Sequence, residues 1–162
     1  MTEHRWLDAT QQQAWQGLLV IFLRAMPELE RTFKANDLLG VQYGILVALA
    51  EEPDMTLRLT DLADLANTSQ SRLTHRLRNL VSRGDIEITE DAQDRRAKNA
   101  TLTKAGKRRL DNVAPGHVED VQRLIFDHLS RDQTVALADA LTTIAANLCD
   151  HDHFQPEAEA TR

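Results

Sequence analysis

Residues 60–84 read TDLADLANTSQSRLTHRLRNLVSRG. Two short amphipathic segments flank a polar turn. In the first, Leu62, Leu65 and Ala66 recur at helical spacing, and Thr60 is placed to cap the exposed amides. In the second, Leu73, Leu77 and Leu80 form a stripe, Ser69 is placed as N-cap, and Gly84 supplies a stop after Ser82. The small Ala63 and Ala66 let two helices cross closely. Packing the leucines between them leaves Ser69, Gln70, Ser71, Arg72, Thr74, His75, Arg76 and Arg78 in solvent. From Thr68 to Arg83 there are four arginines and no acid.

Beyond Gly84 the period changes. DIEIT (85–89) alternates acid with β-branched residues, and NATLT (99–103) can pair back with it across the charged segment EDAQDRRAK. TLRL (56–59) offers a third strand. Two short helices followed by a β-hairpin describe a winged helix-turn-helix. Short hydroxyls and an amide near the start of the second helix allow close approach to a major groove. Its arginines offer forks for guanine edges or charge for phosphate. A helix N-terminus also accepts a phosphate oxygen. Arginines on an amphipathic helix are also, by themselves, an ordinary solvated face. The paired helices with alanines at their crossing, joined to a hairpin with a basic tip, point to DNA.

Charge is distributed to match. The chain of 162 residues is formally −6, yet Thr68 to Arg109 holds eleven Lys/Arg against five Asp/Glu, a net of +6, leaving −12 elsewhere. An acidic body discourages contact away from the basic face. The composition is that of a globular protein with few glycines and prolines, and most of it reads as helix. No apolar run is long enough to cross a membrane, and MTEHRWLDAT lacks the pattern of a secretory signal. The single Cys149 fits a reducing, cytoplasmic setting.

Helical periodicity also marks both ends. Trp15, Leu18, Leu19, Phe22, Met26, Leu29 and Phe33 predict a helix over about 7–33, kinked or split near Met26 by Pro27. VQYGILVALAEE predicts another. Val118, Val121, Ile125 and Leu129 predict a helix interrupted early by Pro115 and Gly116. Ser130 and Gln133 have capping-box form and open a last helix with Leu137, Leu141, Ile144 and Leu148. A winged unit of about 50 residues is too small to cover these stripes, so they predict a homodimer, with an intramolecular bundle as the alternative. The fold class is therefore mainly α with a small β-hairpin wing: a winged helix-turn-helix at 37–106, dimerisation helices at 1–36 and 107–150, and a polar tail at 151–162.

The chain resembles the MarR family of bacterial transcription regulators. DRRAKNATLTKAG carries the family's wing signature at Asp94, Arg96, Leu102, Thr103 and Gly106. LADLANTSQSRLTHRLRNL matches its helix-turn-helix, and PGHVEDVQRLIFDHLS its dimerisation helix. The resemblance implies a homodimer on pseudo-palindromic double-stranded DNA, with Ser71, Arg72, Thr74 and Arg76 in the major groove. It implies that Arg96 enters the minor groove beside Arg95 and Lys98, with Asp94 holding the wing arginine. It further implies a repressor released by a small aromatic or phenolic ligand in a crevice that Trp15, Phe22, Tyr43 and His117 could line, Trp15 and Phe22 being expected chiefly as core. One departure stands out: Asp85, Glu87, Glu90 and Asp91 put acid on a hairpin that should approach DNA.

No catalytic or cofactor motif is present: there is no G-x-S-x-G, phosphate loop, H-E-x-x-H or dinucleotide fingerprint. No cofactor and no metal are expected. Cys149, His151, His153 and Glu157 have zinc-binding chemistry, but a polar tail accounts for them more simply. The alternative to a DNA reader is a dimeric winged-helix interaction module, which the acidic hairpin favours.

Overall fold

Pro27 decides how the N-terminal helical stretch is built. In the computed structural model, which describes residues 4–66, 68–91, 94 and 97–148, the stretch has three parts. α1 is Ala9–Val20, a π-helical turn is Ile21–Ala25, and α2 is Met26–Ala35. Proline has no amide hydrogen and its ring collides with the carbonyl four residues back, so a regular ladder cannot pass it. The wider turn absorbs the conflict, the Met26 amide donating to the Ile21 carbonyl five residues back. The start also falls two residues later than expected. Asp8 caps α1, its Oδ1 accepting from the Gln11 amide at 2.8 Å while Gln11 Oε1 accepts from the Asp8 amide at 3.1 Å.

The central elements follow as α3 (Gly40–Glu51), β1 (Thr56–Arg58), α4 (Leu59–Leu65), α5 (Gln70–Ser82), β2 (Ile86–Glu90) and β3 (Lys98–Leu102). Two expectations for α4 need correction. Thr60 is not its cap: the helix begins at Leu59, with Arg58 in the cap position and no side-chain cap bond. Strand β1 delivers the chain directly into the helix, and Leu59 is drawn into the core. Leu65 is not buried but 42% exposed; Leu62 and Ala63 make the buried side, with Leu73, Leu77 and Leu80 fully enclosed. In so short a helix only one stripe can be buried, and Leu65 falls beside Val41, Ile45 and Ala48 of α3.

The sheet order is β1-β3-β2, antiparallel throughout, with Ile86 opposite Leu102 and Ile88 opposite Ala100. Ile86, Ala100 and Leu102 close the core under α5. α6 then runs unbroken over Lys104–Leu124, passing Pro115 and Gly116 without the expected interruption. Pro115 is exposed and removes one ladder bond, while Leu110 and Val113 anchor the helix in the core. A 3₁₀ turn (Phe126–His128) leads to α7 (Arg131–Leu148). The reciprocal Ser130–Gln133 bonds of a capping box open α7, at 2.9 and 3.2 Å.

The junction between α5, the wing and α6 is fixed by three residues. Gly84 has φ +72°, the left-handed turn that ends α5. Thr103 Oγ1 donates to the Gly84 carbonyl at 2.6 Å and accepts the Ala105 and Gly106 amides, each at 3.1 Å. Gly106 lies so close to β2 that a Cβ there would sit 2.1 Å from the Asp85 carbonyl oxygen. Thr103→Val keeps the shape but removes the cap and the tie to Gly84. It is expected to cost about 1–2 kcal/mol, read as a lower urea midpoint. An unchanged midpoint would contradict this role.

Both chain ends are left uncovered. α1 and α7 contain no buried residue. Phe22 is 62% and Leu23 71% exposed, and Trp15 is half exposed. Trp15 and Phe22, expected chiefly as core, are thus not buried within the described residues, although Leu29 and Phe33 further along the same stripe are.

Candidate nucleic-acid interface

The leucine stripe of α5 dictates what the helix shows. With Leu73, Leu77 and Leu80 inward, Ser69, Gln70, Ser71, Arg72, Thr74, His75 and Arg78 are all exposed. Ser71, His75 and Arg78 lie opposite the buried stripe. Arg76 borders it and is only half exposed, and its carbonyl accepts from Gln42 Nε2 at 3.3 Å. Ser69 caps the helix through a long 3.4 Å bond from the Arg72 amide. Thr74 spends its proton on the Gln70 carbonyl at 2.8 Å, so towards a ligand it can act only as an acceptor. No acid lies on α5, so its exposed face is basic and polar apart from Val81 near the C-terminal end.

Two of the four hairpin acids are absorbed by the fold. Asp85 is 1% exposed and pairs with Arg109 of α6, Nε lying 3.0 Å from its carboxylate. Asp91 shapes the wing turn: Oδ1 accepts the Asp94 amide at 3.1 Å, Oδ2 accepts Asn99 Nδ2 at 3.2 Å, and Arg58 lies 3.6 Å away. Glu87 and Glu90 remain exposed. Asp94 is exposed and its carbonyl accepts the Ala97 amide at 2.9 Å; Lys98 is exposed opposite Glu90. Arg95 and Arg96 lie outside the described residues.

Of the four crevice candidates, the structure brings two together. Tyr43 and His117 meet at 4.9 Å between ring centroids, and Phe33 joins them at 4.8 and 4.9 Å. Trp15 and Phe22 make no ring contact with them. Burial raises the Tyr43 hydroxyl's pKa and lowers that of His117, partly opposed by the charge of Asp120. Asp120 is itself held below the usual carboxylate range by hydrogen bonds from the Thr32 hydroxyl and then Arg123. His117 Nδ1 is buried with no hydrogen-bond partner, a polar atom left over in an aromatic wall.

Solved structures of known proteins superpose closely on this arrangement. AbsC, a MarR family transcriptional regulator from Streptomyces coelicolor, is 33% identical with a TM-score of 0.82, over 90% of this chain and 98% of its own. Sco3205, a second regulator of that family and organism, was solved in complex with DNA; it is 33% identical with a TM-score of 0.83, over 97% of this chain and 95% of its own. The sequence model of the MarR family matches residues 36–97. The chain belongs to the MarR family. Among curated proteins, the HTH-type transcriptional repressor YetL of Bacillus subtilis is 24% identical over 127 residues, 78% of this chain and 76% of its own.

Membership makes the departures of this MarR-family chain informative. Its hairpin acids looked adverse in sequence because the partners of two of them are distant, Arg109 lying 24 residues from Asp85. Asp91, Thr32, Phe33 and Asp120 were not singled out as site residues. The spacing of His117 and Asp120, three apart on α6, was the available sign that they share a face. Among the described residues no helix is long and apolar enough to cross a membrane, and no three metal-binding side chains cluster. Cys149, His151, His153 and Glu157 lie outside the described residues.

His117 gives a pH signature with a defined sign. Its folded pKa lies below the ordinary 6.5, so the unfolded chain binds the proton more readily. Stability is complete above about pH 6.5 and falls as pH drops through the window below it. Asp120 acts in a separate window, below the ordinary 3.8. His117→Phe is expected to flatten the pH dependence of the urea midpoint between pH 7 and 5 relative to wild type. Parallel pH profiles for the two proteins would contradict it.

Proposed function

We propose that this MarR-family chain is a homodimeric, sequence-specific DNA-binding repressor of the cytoplasm, released from its operator by a small aromatic or phenolic ligand. The observation that carries the reading is the face of α5: Ser71, Arg72, His75 and Arg78 exposed, without acid, on a helix fixed by three fully buried leucines. Sco3205, similar over nearly the whole chain, was solved on DNA, and the curated YetL is named a repressor. Residues 37–106 form the DNA-reading unit. Residues 1–36 and 107–150 form the dimer, supported by α1 and α7, which bury nothing in their own chain. Twofold symmetry sets two recognition helices about one DNA turn apart.

Within that reading, Ser69 to Arg78 meet the major groove. Arg95, Arg96 and Lys98 serve the wing, with Asp94 orienting an arginine into the minor groove. The ligand is received in a crevice beside Tyr43 and His117, where His117 Nδ1, without a hydrogen-bond partner among the described residues, offers a phenol or carboxyl a hydrogen bond. A ligand that fits one spacing of the recognition helices shifts the dimer between states. The interaction-module alternative rests on the acidic hairpin, of whose four acids Asp85 and Asp91 are paired within the fold while Glu87 and Glu90 stay exposed.

Alanine variants measured on the operator and on mismatched duplexes test the reading. Arg96→Ala should weaken binding to every sequence and lower the salt slope by about one. Arg78→Ala or Arg76→Ala should cost about 1–3 kcal/mol at one base position if the side chain reads a base edge. Wild-type affinity in all three variants would overturn the interface.

A further inference from the structure

Far from the groove-facing half of α5, a cleft of about 320 Å³ opens where the ends of α2 and α5, the start of β2 and the first turns of α6 meet. Arg83, Arg108 and Arg109 line it, with Asn36, Asn112 and a single acid, Asp85. Asp85 is almost wholly buried, and the one Nε–H of Arg109 lies 3.0 Å from both its oxygens. The two oxygens share that single N–H, and no second donor reaches Oδ2 among the described residues.

The pair does more than neutralise charge. Holding Arg109 by Nε fixes the plane of its guanidinium, while both terminal nitrogens have no acceptor among the described residues. Arg108, one position earlier, is exposed and forms no ion pair among the described residues. Arg83 gives Nη1 to the Asp37 carbonyl and keeps Nη2 free of any protein acceptor among the described residues. Three guanidinium groups thus face one carboxylate, and two amides supply further donors. Oriented arginine forks bind oxyanions through paired, charge-assisted bonds. Asp85 Oδ2, which only shares the Arg109 N–H, has room for a donor beside that anion.

We infer that this cleft binds a small free oxyanion, a carboxylate or phosphate carrying a neighbouring hydroxyl, between the end of the recognition helix and α6. The site is complete without DNA. It lies at the C-terminal end of α5, roughly 18 Å along the helix from the turn capped by Ser69. An anion bridging Arg83 to Arg108 and Arg109 would tie α5 to α6 and so set the angle at which the recognition helix is presented.

Inorganic phosphate and citrate, both of which carry a hydroxyl, are each titrated into the DNA-free full chain at neutral pH, with ionic strength held constant by sodium chloride. Amide ¹⁵N–¹H shifts report the site. Saturable shifts at residues 83–85 and 104–112 with either anion are expected, and the tighter of the two assigns phosphate or carboxylate as the preferred group. Arg108→Gln, an exposed position, should weaken binding about tenfold, and Arg108→Glu should abolish it, while Arg72→Gln leaves it unchanged. The inference is overturned by linear, unsaturable shifts, or by shifts confined to residues 69–78. It is also overturned if Arg108→Gln leaves anion binding intact while lowering the salt slope of DNA binding, which would make the cleft a backbone contact.

Discussion

Phe22→Asp combined with Leu23→Asp is expected to yield a folded monomer that has lost operator binding. Both side chains are largely exposed on a helical stretch whose first helix buries nothing. Contiguous apolar surface of this kind marks an interface, because leaving it in water forfeits about 25 cal/mol per Å². Carboxylates at two central positions would be buried unpaired in a dimer, which is costly enough to prevent association. The winged unit keeps its own core of Leu46, Leu49, Leu73, Leu77 and Leu80, so the monomer should retain its helical spectrum. Losing the second half-site removes the avidity of a linked pair, about 10²–10⁴-fold in affinity. Sedimentation and duplex titration of the same sample check both halves. A variant that stays dimeric would place the interface elsewhere.

Gly106→Val should be the most destabilising single change in the wing junction. A Cβ at that position would lie 2.1 Å from the Asp85 carbonyl oxygen and 2.7 Å from Leu102 Cδ1. The first neighbour is backbone, so relief requires β2 and α6 to separate. Separation would also break the Thr103 bonds to Gly84 and Asp85 and the Asp85–Arg109 pair. Overpacking alone costs about 1–3 kcal/mol, and leaving the buried Asp85 carboxylate without its arginine adds to it. A loss above about 3 kcal/mol is expected in urea unfolding. Gly106→Ala should show a smaller loss of the same sign, and a variant as stable as wild type would refute the close approach.

What could be read from the sequence was local. Leu73, Leu77 and Leu80 follow the helical repeat, Ser69 and Gly84 mark the ends of α5, and alternation from Ile86 gives the wing strand; all three lie where expected. The reciprocal cap at Ser130 and Gln133 is equally local. What escaped depended on distant partners. Burial of Asp85 needs Arg109 on the next helix, and the bond between Thr32 and Asp120 spans 88 residues. Spacing marked Trp15 and Phe22 as buried without saying by what, and among the described residues both stay half or more exposed. Thr60 looked like a cap because nothing local shows that strand β1, itself legible as TLRL, runs directly into α4 at Leu59.

The central claim is that a symmetric pair of these chains reads DNA through α5. Selection of bound duplexes from a random pool tests it most directly, with the full chain at about 0.15 M salt, where surface attraction is already partly screened. The account predicts a palindromic motif whose half-sites lie about 10 base pairs apart, centre to centre. No enrichment, from protein shown to be folded and dimeric, would contradict it.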